Sequence, residues 1–134
     1  MKVVINTCYG GFSLSPLACK RYLELQGREC YFFNSNYSTN EYKEITLEEA
    51  NKAYIFHVFD IKNPTDKSVK DHYFYCGSLE RHDPILIQVV EELGEESWGD
   101  YSKLSIVEIP DDIEYTIEEY DGNEWVAELH RTWS

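Results

Sequence analysis

Residues 2–27 read KVVINTCYGGFSLSPLACKRYLELQG, and this stretch predicts a strand, a glycine loop and a helix in direct succession. The β-branched run at residues 2–6 is typical of a buried strand. Ser15 and Pro16 supply an N-cap and a proline suited to the first helical position. Apolar residues follow at helical spacing as far as Gly27, a natural helix stop. We expect the rest of the fold to be organised around this unit.

The loop between this strand and this helix is the first candidate ligand site. Glycines permit positive φ and a close approach of the backbone to a ligand, and free N–H groups before a helix start suit a phosphate or carboxylate. The pattern matches neither the dinucleotide-binding fingerprint nor a P-loop, so a plain turn that joins the strand to the helix is the alternative. The candidate ligand-binding residues are Cys8, Tyr9, Gly10, Gly11, Phe12 and Ser13.

A second strand-to-helix junction precedes Pro84. Asp83 can cap a helix that Pro84 opens, and Gly94 can end it. Arg81 could bind a phosphate or carboxylate through two hydrogen bonds, and His82 could donate a hydrogen bond or carry a proton. Both residues are therefore candidate ligand-binding residues. In the alternative interpretation, Arg81 pairs with Asp83 or with other acidic residues of the chain.

Composition limits the classes of protein to which the chain can belong. Its 134 residues are 43% hydrophobic and 15% aromatic, which suffices for one domain with a core over residues 1–134. No apolar run approaches the ~18 residues of a membrane span, and no secretory signal pattern opens the chain, so we expect a cytoplasmic protein. The cysteines lack the spacing of zinc ligands and are predicted to be buried thiols. No metal, cofactor or catalytic residue is predicted.

The net charge of −13 is unevenly distributed. Residues 1–70 carry eight acidic and nine basic side chains, whereas residues 71–134 carry seventeen acidic and three basic ones. Because nucleic-acid binding depends on Lys and Arg replacing counterions, binding to a nucleic-acid polymer is not expected. A small anionic ligand in one local pocket remains compatible with this charge, as do a basic partner protein and an ordinary solvated acidic surface.

Further strands are predicted at residues 29–33, 53–59, 72–76 and 104–109. Polar residues 34–40 predict an exposed loop or flap, and Thr46 with Glu49 matches a capping box at a short helix. The expected fold is a single α+β domain. It contains a mixed β-sheet of about seven strands, a C-terminal antiparallel hairpin, and two main helices from Ser15 and Asp83 on one face.

The C-terminal hairpin allows a prediction of register. A three-residue loop, Tyr120–Gly122, pairs Ile117 with Trp125 and collects the apolar side chains on one face. A two-residue loop mixes polar and apolar side chains on both faces, so we expect the longer loop. The opposite face would then be an acidic ladder of Glu114, Glu118, Glu124 and Glu128.

Three segments resemble a family of small bacteriophage proteins with no established activity: KVVINTCYGGFSLS, RHDPILIQVVEELG and VEIPDDIEYTIEEYDGNEWVAELHRTW. The resemblance covers the two ends of the chain and the helix after Arg81, and it does not extend to residues 29–77. It implies a phage accessory protein in the host bacterial cytosol and implies no residue roles. Phage proteins of this size include inhibitors of host defence, and some sequester the nucleotide signals of those systems.

These observations lead to three functional hypotheses. The first is a non-enzymatic binder of a small anionic, nucleotide-like ligand, such as a sponge for a host immune signal. Residues 8–13 and Arg81 would hold this ligand in a homo-oligomer. The second is an acidic protein, similar in principle to a DNA mimic, that inhibits a basic host protein through the glutamates of the hairpin. The third is a nucleotide hydrolase or transferase that uses His82 or Asp83 as acid or base.

Overall fold

The chain folds into strands and helices. The computed structural model describes residues 1–36, 41–53 and 55–129. The strands are β1 (Lys2–Asn6), β2 (Tyr31–Asn36), β3 (Glu41–Ile45), β4 (His57–Phe59), β5 (Tyr73–Phe74), β6 (Leu104–Glu108), β7 (Tyr115–Tyr120) and β8 (Asn123–Glu128). The helices are α1 (Pro16–Leu25), α2 (Leu47–Lys52), α3 (Val69–His72) and α4 (Pro84–Leu93). The predicted α+β class with a C-terminal antiparallel hairpin is confirmed.

The strands form three antiparallel sheets within the described residues, where the sequence predicted one mixed sheet. β1 pairs with β6, the order β3-β2-β4-β5 makes the largest sheet, and β7 pairs with β8. The reason lies at the second edge of β1. There the Val4 amide donates to the Arg81 carbonyl at 2.8 Å, and the Asn6 amide donates to the Glu124 carboxylate at 2.8 Å. Because these donors are already bonded, no further strand of the described part of the chain pairs with this edge.

Both main helices begin where the sequence predicts. The Ser15 hydroxyl accepts a hydrogen bond from the Ala18 amide, and the Asp83 carboxylate accepts one from the Ile85 amide. These caps satisfy donors that the first helical turn leaves free. α1 packs against α4, and α4 packs against β1 and β6. The helices therefore bury Leu23, Leu86 and Val89 together with the apolar residues of β1.

Segments between the two main helices differ most from the prediction. β3 was not predicted, and among the described residues of the predicted strand at 53–59, which are 53 and 55–59, strand structure is confined to residues 57–59. Residues 34–36, expected in a loop, extend β2, and residues 37–40 of the predicted flap lie outside the described part of the chain. α2 has the predicted capping box of Thr46 and Glu49. Within the described residues, no helix has the length and apolar character required to cross a bilayer.

The predicted hairpin register is wrong. The strands are joined by the two-residue turn Asp121–Gly122, with φ of 50° and 88°, and Ile117 pairs with Val126. Glu118 therefore faces Trp125, while Glu124 faces Glu119 on the opposite side of the hairpin, so the predicted ladder of four glutamates does not form. The prediction assumed that glutamates lie in solvent. Glu124 is instead buried beneath the hairpin, where it contacts Arg81 and β1.

Replacing Gly122 should destabilise the protein more than replacing Gly27. Both residues have positive φ, 88° and 73°, where an alanine costs about 1 kcal/mol. A Cβ at Gly122 would also lie 2.8 Å from the Gly11 Cα, whereas a Cβ at Gly27 would meet nothing within 4 Å. Urea denaturation should show a loss of about 1 kcal/mol for Gly27→Ala and of at least ~2 kcal/mol for Gly122→Ala. Equal losses would contradict close packing of the hairpin turn on the glycine loop.

Candidate functional site

Asn6, the last residue of β1, fixes the glycine loop from inside the protein. Its side chain is fully buried. The amide nitrogen donates to the carbonyls of Cys8 and Gly122, each at 2.7 Å, and the amide oxygen accepts from the backbone N–H groups of Cys8 at 3.3 Å and Lys103 at 2.9 Å. One side chain thus joins the loop, the hairpin turn and the start of β6. A buried amide with four partners has its hydrogen-bonding capacity filled.

Two of the loop amides that were predicted to bind a ligand are bonded within the protein. The Cys8 N–H donates to Asn6, and the Gly10 N–H donates to the Cys8 carbonyl at 3.0 Å. Gly11 has a φ of 96°, and its backbone packs against Gly122. Tyr9, in contrast, is 68% exposed. The loop therefore serves as a packing element on its inner side and presents Tyr9 to solvent.

Arg81 forms a partly buried ion pair with Glu124. Its guanidinium donates to both carboxylate oxygens, at 2.5 and 2.8 Å, and stacks over the Phe12 ring with 3.7 Å between Cζ and the ring centroid. The side chains of Arg81 and Glu124 are 17% and 8% exposed. The structure thus matches the alternative in which Arg81 pairs with an acidic residue. A phosphate would have to displace Glu124 to reach the guanidinium, so Arg81 and Phe12 have a structural role here.

His82 and Asp83 do not form a paired acid and base. His82 Nδ1 lies 2.7 Å from the Tyr115 hydroxyl, and Nε2 lies 3.1 Å from Glu80. One Asp83 oxygen accepts from the Ile85 amide, and the other accepts from the Tyr22 hydroxyl. Burial, followed by the interaction with Asp83, raises the pKa of Tyr22 well above its usual value. These contacts assign Asp83 to the cap of α4 and to the link between α4 and α1.

A cavity of about 510 Å³ lies beside the glycine loop. It opens between the loop, the start of α1, α2, the segment around β5, and residues 98–101. Of the eight predicted ligand-binding residues, Gly10 and Ser13 line it, while the other six do not. Among the described residues, its aromatic lining consists of Phe56, Tyr73, Phe74, Tyr75, Trp98 and Tyr101.

Close backbone contacts bring residues 98–101 to the cavity. Leu14 and Trp98 form an isolated antiparallel bridge, and the Gly99 amide donates to the Ser13 carbonyl at 3.1 Å. Gly99 packs so closely on Ser13 that a Cβ would lie 2.8 Å from the Ser13 Cβ. Tyr101 packs equally closely on Gly10 and has a φ of 62°. A tyrosine in this conformation is strained, and such strain is concentrated at binding sites.

The cavity carries little charge. Among the described residues that line it, Asp100 is the single ionised side chain, and none is Lys, Arg or His. Cys19 and Cys76 also line it, and burial raises the pKa of both thiols. They are therefore protonated near neutral pH. Of the four cysteines predicted to be buried thiols, Cys19 is buried, whereas Cys8, Cys30 and Cys76 are partly exposed. No cluster of three or more His, Cys, Asp or Glu side chains suited to a metal ion occurs within residues 1–36, 41–53 and 55–129.

Sequence reasoning missed most of the cavity. A strand was predicted at residues 72–76, where the structure has a strand over Tyr73–Phe74, and no strand or helix was predicted for Trp98 and Tyr101. The sequence contained one signal for the cavity, which was its local composition. Aromatic residues lie close to Gly77 and Gly99 along the chain, and their rings can pack on the backbone that a glycine leaves exposed. No pattern in the sequence indicated that these segments meet.

Searches for related proteins gave no match among family models, curated proteins or solved structures.

Removing the Arg81 charge should destabilise the protein strongly. In Arg81→Met, Glu124 would be buried without its charge partner, which typically costs about 3 kcal/mol or more. Arg21→Met is the matched control, because Arg21 also makes two hydrogen bonds to a carboxylate, that of Glu92, but at the surface. Thermal and urea denaturation should show a large loss for Arg81→Met and little change for Arg21→Met.

The double variant Arg81→Met/Glu124→Gln tests the cause of that loss. A neutral amide at position 124 removes the unpaired buried charge and can still accept from the Asn6 amide. We expect the double variant to recover a substantial part of the stability lost in Arg81→Met. A double variant as unstable as the sum of the single variants would show that the charge pair is not the dominant interaction.

Glycine should be better tolerated than alanine at position 101. Both substitutions remove the Tyr101 ring, but only alanine retains the cost of a positive φ. Tyr101→Gly should therefore be more stable than Tyr101→Ala by about 1 kcal/mol, measured by urea denaturation. The reverse order would contradict the backbone conformation at the cavity edge.

Proposed function

We propose that the protein binds a small molecule through an apolar part held in the aromatic cavity. The observation that carries this proposal is the cavity itself, with a volume of about 510 Å³ and six aromatic lining residues. Ligand pockets commonly have volumes of roughly 300–1,000 Å³, predominantly apolar walls and a few polar groups. Here Ser13, Asn51 and Asp100 supply polar groups at an otherwise apolar site.

The proposed activity is binding without turnover. A thiol acts as a nucleophile in its ionised form, and burial opposes ionisation of Cys19 and Cys76. Asp83, the carboxylate predicted to act as acid or base, caps α4 and does not line the cavity. The geometry thus supports retention of a ligand better than a reaction on it.

A nucleotide-like ligand fits this proposal through its base, which would stack among the aromatic rings of the cavity. These rings are not the predicted ones, because Tyr9 and Phe12 of the glycine loop do not line the cavity. Gly10 and Ser13, the loop residues that do line it, pack on Tyr101 and Gly99, so a phosphate beside them would also lie beside Asp100. Sequestration of a nucleotide signal by a cytoplasmic phage protein and assembly into a homo-oligomer stay predictions from the sequence.

The outer face of the hairpin supports a second candidate function, binding to a basic protein. Trp125 and Tyr120 are 45% and 68% exposed on this face, and Glu118 lies beside Trp125. Exposed aromatic rings with adjacent carboxylates favour contact with lysine and arginine side chains. Although the predicted ladder of glutamates is absent, this smaller acidic and aromatic surface lies away from the cavity.

A tryptophan at position 51 should fill the cavity and abolish ligand retention. Asn51 is an exposed residue of α2 that lines the cavity, so Asn51→Trp narrows the site without replacing a core residue. Glu48→Trp is the matched control, because Glu48 is exposed on the same helix and does not line the cavity. Native mass spectrometry after incubation with the small-molecule filtrate of a bacterial lysate should show a retained mass on wild type and Glu48→Trp, absent from Asn51→Trp.

Two outcomes of this experiment would count against the cavity. A retained mass on all three proteins would place the ligand elsewhere, and no retained mass on any of them would remove the support for small-molecule binding. The second candidate function needs a separate pull-down from unfiltered lysate, in which salt-sensitive capture of a basic host protein, equal for wild type and Asn51→Trp, would favour it.

A further inference from the structure

The mouth of the cavity exposes large apolar side chains. Ile55, Tyr75 and Tyr101 line the cavity and are 54%, 61% and 73% exposed. The Tyr75 ring lies over Gly77, where a Cβ would be 2.6 Å from the ring. Rings held in this way at an opening present their faces and edges to an entering group. Grouped exposure of this kind marks a binding site more often than ordinary surface.

The charge around this mouth disfavours anionic ligands and favours cations. The described lining contains the Asp100 carboxylate and no cationic side chain, and the whole chain has a net charge of −13. A phosphate or carboxylate placed inside would meet aromatic faces, which are themselves negative, and a fixed carboxylate. A cation would be attracted by the aromatic faces, by the carboxylate and by the long-range field of the protein.

The turn that carries Asp100 also fixes the backbone of the neighbouring Tyr101. The Ser102 amide donates to the Gly99 carbonyl at 3.1 Å, which closes the turn around Asp100 and Tyr101. Gly10 packs against the Tyr101 backbone and Cβ, so the turn is held against the glycine loop. The backbone of both residues is therefore held at the cavity edge, and their side chains are exposed there.

We infer that the ligand is a small alkylated ammonium compound, held among the tyrosine and tryptophan rings with its charge facing Asp100. This inference rests on the proposed small-molecule function. An alkylated ammonium group has few or no N–H donors, so it needs aromatic faces and a nearby negative charge more than hydrogen-bond acceptors. The lining provides those features, with six aromatic residues and one carboxylate.

Choline and 3,3-dimethylbutan-1-ol test this inference, because the alcohol has the same shape as choline without the charge. NMR titration of the wild-type protein should give an affinity for choline at least about fivefold higher than for the alcohol. Asp100→Asn should lower the affinity for choline and leave that for the alcohol unchanged. Adenosine 5′-monophosphate represents the anionic ligand predicted from the sequence. Asn51→Trp should abolish binding of each probe that occupies the cavity.

The outcomes separate this inference from the proposed function. Equal affinities for choline and the alcohol, or tighter binding of adenosine 5′-monophosphate at a site blocked by Asn51→Trp, would overturn the ammonium assignment and leave the cavity as a ligand site. Failure of every probe to bind in a manner sensitive to Asn51→Trp would count against both. A trimethyllysine peptide that binds more than about 100-fold tighter than choline would overturn the assignment to a small compound.

Discussion

The ion pair between Arg81 and Glu124 is the interaction on which the arrangement of the two chain ends depends. Glu124 accepts hydrogen bonds from the Arg81 guanidinium and from the backbone N–H of Asn6. The Arg81 carbonyl accepts a hydrogen bond from the backbone N–H of Val4. β1, the segment before α4 and the C-terminal hairpin therefore meet at one pair of charges. Removing either partner leaves the other charge in a site with little access to water, which is far less favourable than losing a surface pair.

The glycine loop connects the region of this ion pair to the cavity. Its inner side is bonded to Asn6 and packed against Gly122, and its outer side holds Tyr101. The same few residues thus connect the buried polar network with the aromatic site. The loop was predicted to contact a ligand through its amides. In the structure it acts mainly as a spacer that sets the position of the Tyr101 turn.

Local features of the fold were predictable from sequence, whereas features made by distant segments were not. Ser15 with Pro16 and Asp83 with Pro84 define helix starts within a few residues, because capping is a local interaction. The hairpin register depends on where Glu124 lies, and that is decided by Arg81, 43 residues earlier. The cavity is built from several separate segments, and no spacing rule relates Tyr75 to Tyr101.

The buried glutamate has a consequence for the specificity of strand pairing. The two-residue Asp121–Gly122 turn, with φ of 50° and 88°, is a connection that local hairpin preferences favour, whereas a three-residue turn would give the hairpin a more uniformly apolar face. The observed pairing places Glu124 against Arg81 and the backbone N–H of Asn6, the second of which lies 118 residues away along the chain. A slip by one residue would carry Glu124 to the outer face and leave the Arg81 guanidinium without its carboxylate. The alignment of the hairpin and the contact between the two ends of the chain therefore depend on each other.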